Sequence, residues 1–219
     1  MEVRFLSGIL NMTKPRIILA SQSIGRKHLL EKLGLPFEIL PSGIDEASIS
    51  HPDPSTRLLK RARAKAEDVA KKLSKKIPAS NQLPTTSFLI IAADSEAIFQ
   101  GKTYGKARDK THAREVLKEL MGKTHEFVTG TSIIFTHNNE TIQQWNHVTK
   151  ALVSMRTLHE NELDEYVNRY DFSRFAAAYT LNETPWDLIT KIEGSYTGVI
   201  GLPFEIILPI FRSLNLLSS

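Results

Sequence analysis

Short apolar runs alternate with amphipathic segments along most of this 219-residue chain. Continuous apolar runs of about four to eight residues predict buried strands, and apolar residues at three- and four-residue spacing predict helices. The predicted strands cover residues 17–20, 37–40, 88–93 and 186–192, with an antiparallel pair between residues 125 and 155 and a hairpin turn at residues 100–102. The predicted helices cover residues 23–33, 55–76, 109–121, 157–170 and 203–214. This alternation predicts an α/β or α+β architecture with mixed strand pairing.

Local signals set several element boundaries. Thr157 and Glu160 have the spacing of a capping box, which predicts that a helix begins there. Gly194, Gly198 and Gly201 predict a loop before the last helix.

Residues 55–76 show the most regular helical pattern of the chain. One face of this predicted helix is apolar and comprises Leu58, Leu59, Ala62, Ala66, Val69, Ala70 and Leu73. The opposite face is rich in lysine and arginine, and a solvated helix face is the ordinary interpretation of such a pattern. Lys65 is the exception because it lies beside the apolar face, three residues after Ala62. We therefore expect its ammonium group to reach into a cleft.

Polar side chains follow two of the predicted strands directly. The strand at 17–20 runs into Ser21, Ser23 and Arg26 at the start of a helix, and the strand at 88–93 runs into Asp94. Ligands of open α/β sheets bind at the carboxyl ends of strands, and helix N-termini favour anions. These residues therefore predict a cleft that binds nucleotides. The alternative is local: Asp94 caps a turn, and the two serines cap their helix.

Composition narrows the classes of partner. The chain has no cysteine, which excludes disulfides, thiolate metal sites and cysteine nucleophiles. No apolar run approaches the roughly 20 residues of a membrane-spanning helix. The lack of cysteine fits a reducing cytoplasm, where we expect this protein, and is also compatible with export. The net charge of +4 would help to bind an acidic ligand but is too small to indicate nucleic acid binding. The basic helix face also lacks interleaved aromatic residues, so nucleic acid is not the expected partner.

Residues 1–14 precede the first predicted strand. They carry Glu2 and Arg4 and lack the cleavage pattern of a signal peptide. We expect a flexible extension at residues 1–14, with Met12 as an alternative start of translation, and a single domain at residues 15–219.

Ionisable and hydroxyl residues collect at the ends of the predicted elements. Together with Lys65 they supply both carboxylates and cations. Phosphate hydrolysis uses this mixture, because cations neutralise phosphate oxygens, carboxylates hold a hard divalent metal, and one carboxylate activates water. The residues are Ser21, Ser23, Arg26, Lys27, Asp45, Glu46, Lys65, Asp94, Ser95 and Lys106.

Seven segments also follow one another in the order of a known family. From about residue 15 to residue 211, the chain resembles the Maf family of nucleoside triphosphate pyrophosphatases. The segments are IILASQS at 17–23 with Arg26 after it, SGIDE at 42–46, AKA at 64–66, ADS at 93–95, GK at 105–106, GKTHEFVTG at 122–130 and IEGSYTGVIGLP at 192–203.

The resemblance implies a fold, a reaction and a set of site residues. The implied fold is a mixed twisted sheet flanked by helices, in two lobes with a central cleft that also holds the base. The implied reaction converts a nucleoside triphosphate into the monophosphate and pyrophosphate, as house-cleaning of non-standard nucleotides. Asp94 would accept the proton of the attacking water, and Mg²⁺ or Mn²⁺ would bind Asp45, Glu46 and Asp94. The phosphates would bind the remaining set, Ser21, Ser23, Arg26, Lys65 and Lys106. A small-molecule nucleotide is the expected partner, and a homodimer is one option for the assembly.

Departures from the family pattern concern substrate choice. Gly25, Ser95 and Asn182 occupy the positions that distinguish substrates within the family, and they match neither the branch preferring dTTP and UTP nor the branch acting on 7-methyl-GTP. The family's arginine is replaced by Gly25, which removes a planar, bidentate donor. The preferred base is therefore not predicted. A catalytically weak, nucleotide-binding regulator is the alternative function.

Overall fold

A computed structural model describes residues 14–76, 86–169, 175–179, 181 and 188–217. The predicted extension at 1–14 lies almost wholly outside these residues, as do Asn182, Trp186 and most of the segment between the second helix and the third strand. Strands β1 to β7 are Arg16–Leu19, Phe37–Ile39, Ser87–Phe99, Lys102–Tyr104, Thr124–His137, Glu140–Met155 and Ile189–Gly194. Helices α1 to α6 are Ile24–Glu31, Pro54–Lys76, Lys110–Leu120, Glu160–Arg169, Tyr196–Ile200 and Phe204–Ser213.

The strands form one mixed sheet, which confirms the predicted α/β class. Their order is β2-β1-β3-β5-β6-β7, and β4 pairs with the far end of β3. β1 is parallel to both β2 and β3. β3 is antiparallel to β4 and β5, and the pairs β5–β6 and β6–β7 are also antiparallel. None of the described helices is long and apolar enough to cross a membrane.

Apolar side chains form separate clusters at the two ends of the sheet. Side chains of β1 and β3 alternate between its faces: Ile18 and Ile90 pack against α2 on one face, while Leu19 and Leu89 face a cluster with α1 and α6 on the other. A third cluster surrounds α3, α4 and the strands β4 to β7. The division into two lobes stays a prediction; residues next to several of these clusters line the cavity described below.

β3 is longer than its apolar run predicts. The expected strand ends at residue 93, but the observed strand continues through Asp94 and Ser95 to Phe99, because β5 pairs with its whole length from Ser87 to Ile98. β1 ends opposite Ile91. On that side, no strand within the described part of the chain pairs with β3 before Ala97, which pairs with Tyr104 of β4. The polar residues of β3 therefore face a gap in the sheet.

Two other boundaries also differ from the sequence prediction. The fourth helix begins at Glu160 rather than Thr157, and the backbone N–H of His159 donates to the Glu162 carboxylate at 2.9 Å. The predicted glycine-rich loop contains the short helix α5, capped by Ser195, whose Oγ accepts from the Gly198 N–H at 3.0 Å. In both places a side chain satisfies a helix N-terminus that the sequence pattern did not predict there.

Candidate active site

A cavity of about 480 Å³ lies where β1 ends and β3 continues. It is lined by α1, α2, the 3₁₀ turn Glu46–Ser48, β3 and the segment that leads into α3. The structure thus brings together segments far apart in the sequence. Of the predicted site residues, those lining this cavity are Ser21, Ser23, Gly25, Arg26, Glu46, Lys65, Asp94, Ser95 and Lys106.

The two serines at the start of α1 form local hydrogen bonds and also line the cavity. Ser23 is the N-cap, and its Oγ accepts from the backbone N–H of Arg26 at 3.5 Å. The Ser21 Oγ accepts from the Ser23 N–H at 3.2 Å and from the Arg26 guanidinium at 3.0 Å. Ser23 therefore caps the helix, as the alternative interpretation predicted. Both serines nevertheless line the cavity.

Arg26 is buried beside this helix start. Its guanidinium donates to the Oγ of Ser21 at 3.0 Å, the Oγ of Ser95 at 3.2 Å and the backbone carbonyl of Gly201 at 3.1 Å. Burial lowers the pKa of Arg26 from its usual value, and the charges of Asp94 and Glu46 oppose that shift. All three acceptors are neutral, and among the described residues no carboxylate forms an ion pair with this side chain. A buried arginine with neutral partners leaves positive potential for an anionic ligand.

Lys65 joins two carboxylates on different elements. Its ammonium lies 3.0 Å from Asp94 Oδ1 on β3 and 3.0 Å from Glu46 Oε1 in the 3₁₀ turn. The side chain is 7% exposed, compared with 13% for Asp94 and 48% for Glu46. The predicted reach of Lys65 into a cleft is therefore seen in the structure. A buried ion pair at a cavity wall holds Asp94 Oδ1 and leaves Oδ2 as the freer oxygen.

Arg61 and Glu96 belong to the same wall, although sequence reasoning did not single them out. Glu96 follows Asp94 by two residues in β3, so both side chains lie on one face of the sheet. Arg61 precedes Lys65 by one helical turn, and its Nη1 lies 3.0 Å from Glu96 Oε1 and 3.6 Å from Asp94 Oδ2. The spacing of these residues would have identified both, had the strand been predicted to continue past residue 93.

The remaining predicted residues lie in different places. Lys27 is exposed on α1, pairs with Glu31 at 3.5 Å and does not line the cavity. Lys106 lines the cavity and forms an isolated backbone bridge with Ala176. Asp45 instead caps the 3₁₀ turn: its Oδ1 accepts from the Ala47 N–H at 3.0 Å, and the residue is exposed and absent from the cavity lining. Asn182 lies outside the described residues.

Two cavity carboxylates could hold a divalent cation. Within the described parts of the chain, no group of three or more His, Cys, Asp or Glu side chains has the arrangement of a metal site. Glu46 and Asp94, however, both line the cavity and lie against the same ammonium group. Mg²⁺ is usually held by one or two carboxylates plus substrate phosphates. The residues present therefore fit a magnesium ion that binds together with a polyphosphate.

Aromatic rings form another part of the cavity wall. Phe127 and Tyr179 pack edge to face with ring centroids 6.1 Å apart. The Tyr179 hydroxyl forms a hydrogen bond of 2.8 Å with Nε2 of buried His125. Burial lowers the pKa of His125 to about 4, so this imidazole is neutral near pH 7. Burial also raises the pKa of Tyr179. The wall is thus uncharged and suits a planar base.

Gly25 allows α1 to approach α5 closely. A Cβ at this position would lie 2.9 Å from the backbone carbonyl oxygen of Ile200. Any larger residue, including the arginine of the family pattern, would meet the same carbonyl. The glycine at position 25, where the family pattern has arginine, is therefore required by the close packing of α1 against Ile200.

This contact predicts a stability effect. We expect Gly25→Ala to lower the free energy of unfolding by about 1–3 kcal/mol, because overpacking outweighs the helix propensity of alanine. Urea unfolding measures the change. Gly105→Ala is the matched control, since a Cβ there would meet no atom within 4 Å. Equal stability of the two variants would contradict the proposed contact.

The fold and the cavity define an α/β protein whose cavity carries both cationic and carboxylate side chains. The family model described as Maf-like protein matches residues 16–214. A dTTP/UTP pyrophosphatase of Pyrococcus furiosus is 36% identical over 199 residues, covering 90% of this chain and 94% of that protein. A dTTP/UTP pyrophosphatase of Agathobacter rectalis is 34% identical over 189 residues, covering 86% and 92%. The chain belongs to the Maf family.

Proposed function

We propose that this chain hydrolyses a nucleoside triphosphate between the α and β phosphates, releasing the monophosphate and pyrophosphate. The observation that carries the proposal is the position of Asp94. Its carboxylate lies at the wall of a cavity that also contains Lys65, Arg26 and Lys106. The names of the Pyrococcus and Agathobacter relatives support the same reaction.

We assign the cavity residues different roles in hydrolysis. Asp94 accepts a proton from water as the water oxygen bonds to phosphorus, and the bridging P–O bond breaks to release pyrophosphate. A positioned base typically contributes about 10²- to 10⁴-fold to such a step. Arg26, Lys65 and Lys106 neutralise charge on the phosphate oxygens, and the hydroxyls of Ser21 and Ser23 lie at the same helix start.

We also propose that Mg²⁺ or Mn²⁺ is required. Glu46 and Asp94 would hold the ion, which supplies positive charge to the triphosphate. Asp45 lies outside the cavity lining, so it is not included in this set. Since nucleoside triphosphates are metabolites of the cytoplasm, we place the enzyme there.

For the base, we propose a pyrimidine, as in the names of the relatives. Position 25 is a glycine packed against Ile200, so this chain has no arginine there to contact the base. Recognition would then depend on the aromatic wall of Phe127 and Tyr179 and on the hydroxyl of Ser95. Removal of unwanted or modified pyrimidine nucleotides is the role that we assign to this activity.

A turnover screen tests the proposal. Pyrophosphate release is measured with dTTP, UTP, CTP, ATP and GTP and with pyrimidine triphosphates modified at the base, each in Mg²⁺, Mn²⁺ or EDTA. We expect release from dTTP, UTP or a modified pyrimidine triphosphate, and its loss in EDTA. Tight triphosphate binding without turnover across the panel would instead support the regulatory alternative.

A further inference from the structure

Arg57, Arg61 and Glu96 form a charge cluster beside Asp94. Glu96 Oε2 lies 2.6 Å from Arg57 Nη2, and Glu96 Oε1 lies 3.0 Å from Arg61 Nη1. Both arginines are also fixed by backbone carbonyls, Arg57 by His51 at 3.1 Å and Arg61 by Ile49 at 3.1 Å. The three side chains are 13–17% exposed. The cluster is therefore ordered and mostly shielded from water.

Glu96 does not need Arg61 for charge balance. Arg57 already provides one cation for this carboxylate at 2.6 Å, so Arg61 is a second positive charge on the same group. Bringing a second arginine to a shielded carboxylate costs desolvation that one ion pair does not recover. Part of the second charge is balanced by Asp94, whose Oδ2 lies 3.6 Å from Arg61 Nη1, so Arg61 links the two carboxylates at the cavity wall.

Arg61 also has donors available for a ligand. Its Nε donates to Ile49, and its Nη1 donates to Glu96. Within the described residues, neither N–H of Nη2 has a hydrogen-bond partner, and Arg61 lines the cavity. The 3.6 Å separation from Asp94 Oδ2 is longer than a hydrogen bond. The guanidinium therefore lies beside the Asp94 oxygen that Lys65 does not contact, and it retains a pair of unused donors.

We propose that Arg61 is a catalytic residue that binds the phosphate attacked by the water of Asp94, and that Glu96 is the positioning residue that orients it. This inference rests on the proposed function. A water activated by Asp94 lies about 3–3.5 Å from the phosphorus it attacks, and oxygens of the same phosphate are then within reach of Arg61 Nη2. Arg57 anchors Glu96, which fixes the direction of the Arg61 guanidinium.

Steady-state kinetics of Arg61→Gln, Arg61→Lys, Glu96→Gln and the double variant Arg61→Gln/Glu96→Gln test the proposal. We expect Arg61→Gln to lower kcat about 100-fold with KM within about threefold, because its donors act mainly on the transition state. Arg61→Lys should lower kcat about tenfold. An ammonium group lacks the planar set of donors with which a guanidinium can contact Glu96 and a phosphate at the same time. Arg63→Gln is the control on the same helix, because Arg63 is exposed and pairs with Glu67.

The double variant separates positioning from a purely structural role. We expect Glu96→Gln to lower kcat about tenfold in the parent protein and to have no further effect in the Arg61→Gln background. Equal effects in both backgrounds, or an Arg61→Gln kcat within threefold of the parent, would overturn the proposal. If thermal unfolding shows that Arg61→Gln is not folded, the kcat of Arg61→Lys is the test. A kcat equal to that of the parent protein would then overturn the proposal. Absence of turnover in the parent protein would contradict the proposed function itself.

Discussion

Replacement of Asp94 by asparagine is expected to lower kcat roughly 10³-fold, with a much smaller effect on nucleotide affinity because Glu46 and the cavity cations remain. The amide preserves the size of the side chain but cannot accept a proton from water. It also keeps an oxygen that can accept from the Lys65 ammonium, which lies 3.0 Å from the present carboxylate. Pyrophosphate release and calorimetric binding of a non-hydrolysable triphosphate measure the two quantities separately.

Glu38→Gln provides the matched control for this substitution. Glu38 is an exposed carboxylate that pairs with Arg16 at the edge of the sheet and does not line the cavity. Its loss should leave kcat unchanged. An Asp94→Asn variant that keeps more than a tenth of the parental kcat would show that Asp94 is not the base.

Lys65→Met is expected to have the second largest effect. Methionine has nearly the length of lysine, but without the ammonium group Asp94 and Glu46 face each other with no cation between them. We expect KM to rise about 100-fold, since each charge-assisted phosphate contact is worth about 1.5–3 kcal/mol. The free energy of unfolding should fall by about 2 kcal/mol, less than for a fully buried pair because Glu46 is half-exposed.

Lys60→Met is the control for Lys65→Met. Lys60 lies on the same helix but is exposed. This variant should retain both the parental KM and the parental midpoint in urea. A Lys65→Met variant with unchanged KM would exclude Lys65 from phosphate binding, whatever its effect on stability.

The parts of the fold that could be predicted are those with a strong local signal. The run at 17–20 is short, apolar and followed by helix-capping serines, and β1 and α1 lie there. The apolar face of 55–76 repeats over about four turns, and α2 covers residues 54–76. The family segments, in turn, identified most of the residues that the fold brings to one cavity.

The parts that could not be predicted depend on contacts between distant segments. The extension of β3 past Asp94 is stabilised by pairing with β5, and a polar segment carries no sign of its partner strand. Glu96 and Arg61 were missed for that reason. Asp45 was grouped with Glu46 because they are adjacent, yet the 3₁₀ turn directs only Glu46 towards Lys65. The position of Gly25 against Ile200 likewise depends on α5, which no pattern predicted.

The identity of the products tests the central claim most directly. The parent protein and Asp94→Asn are incubated in Mg²⁺ with the pyrimidine triphosphate that is turned over fastest in the screen, and the products are separated by anion-exchange chromatography. We predict the nucleoside monophosphate and pyrophosphate in equal amounts from the parent protein, and almost no product from Asp94→Asn. Nucleoside diphosphate and inorganic phosphate as the products, or equal turnover by both proteins, would contradict the assignment of this cavity as a pyrophosphatase site.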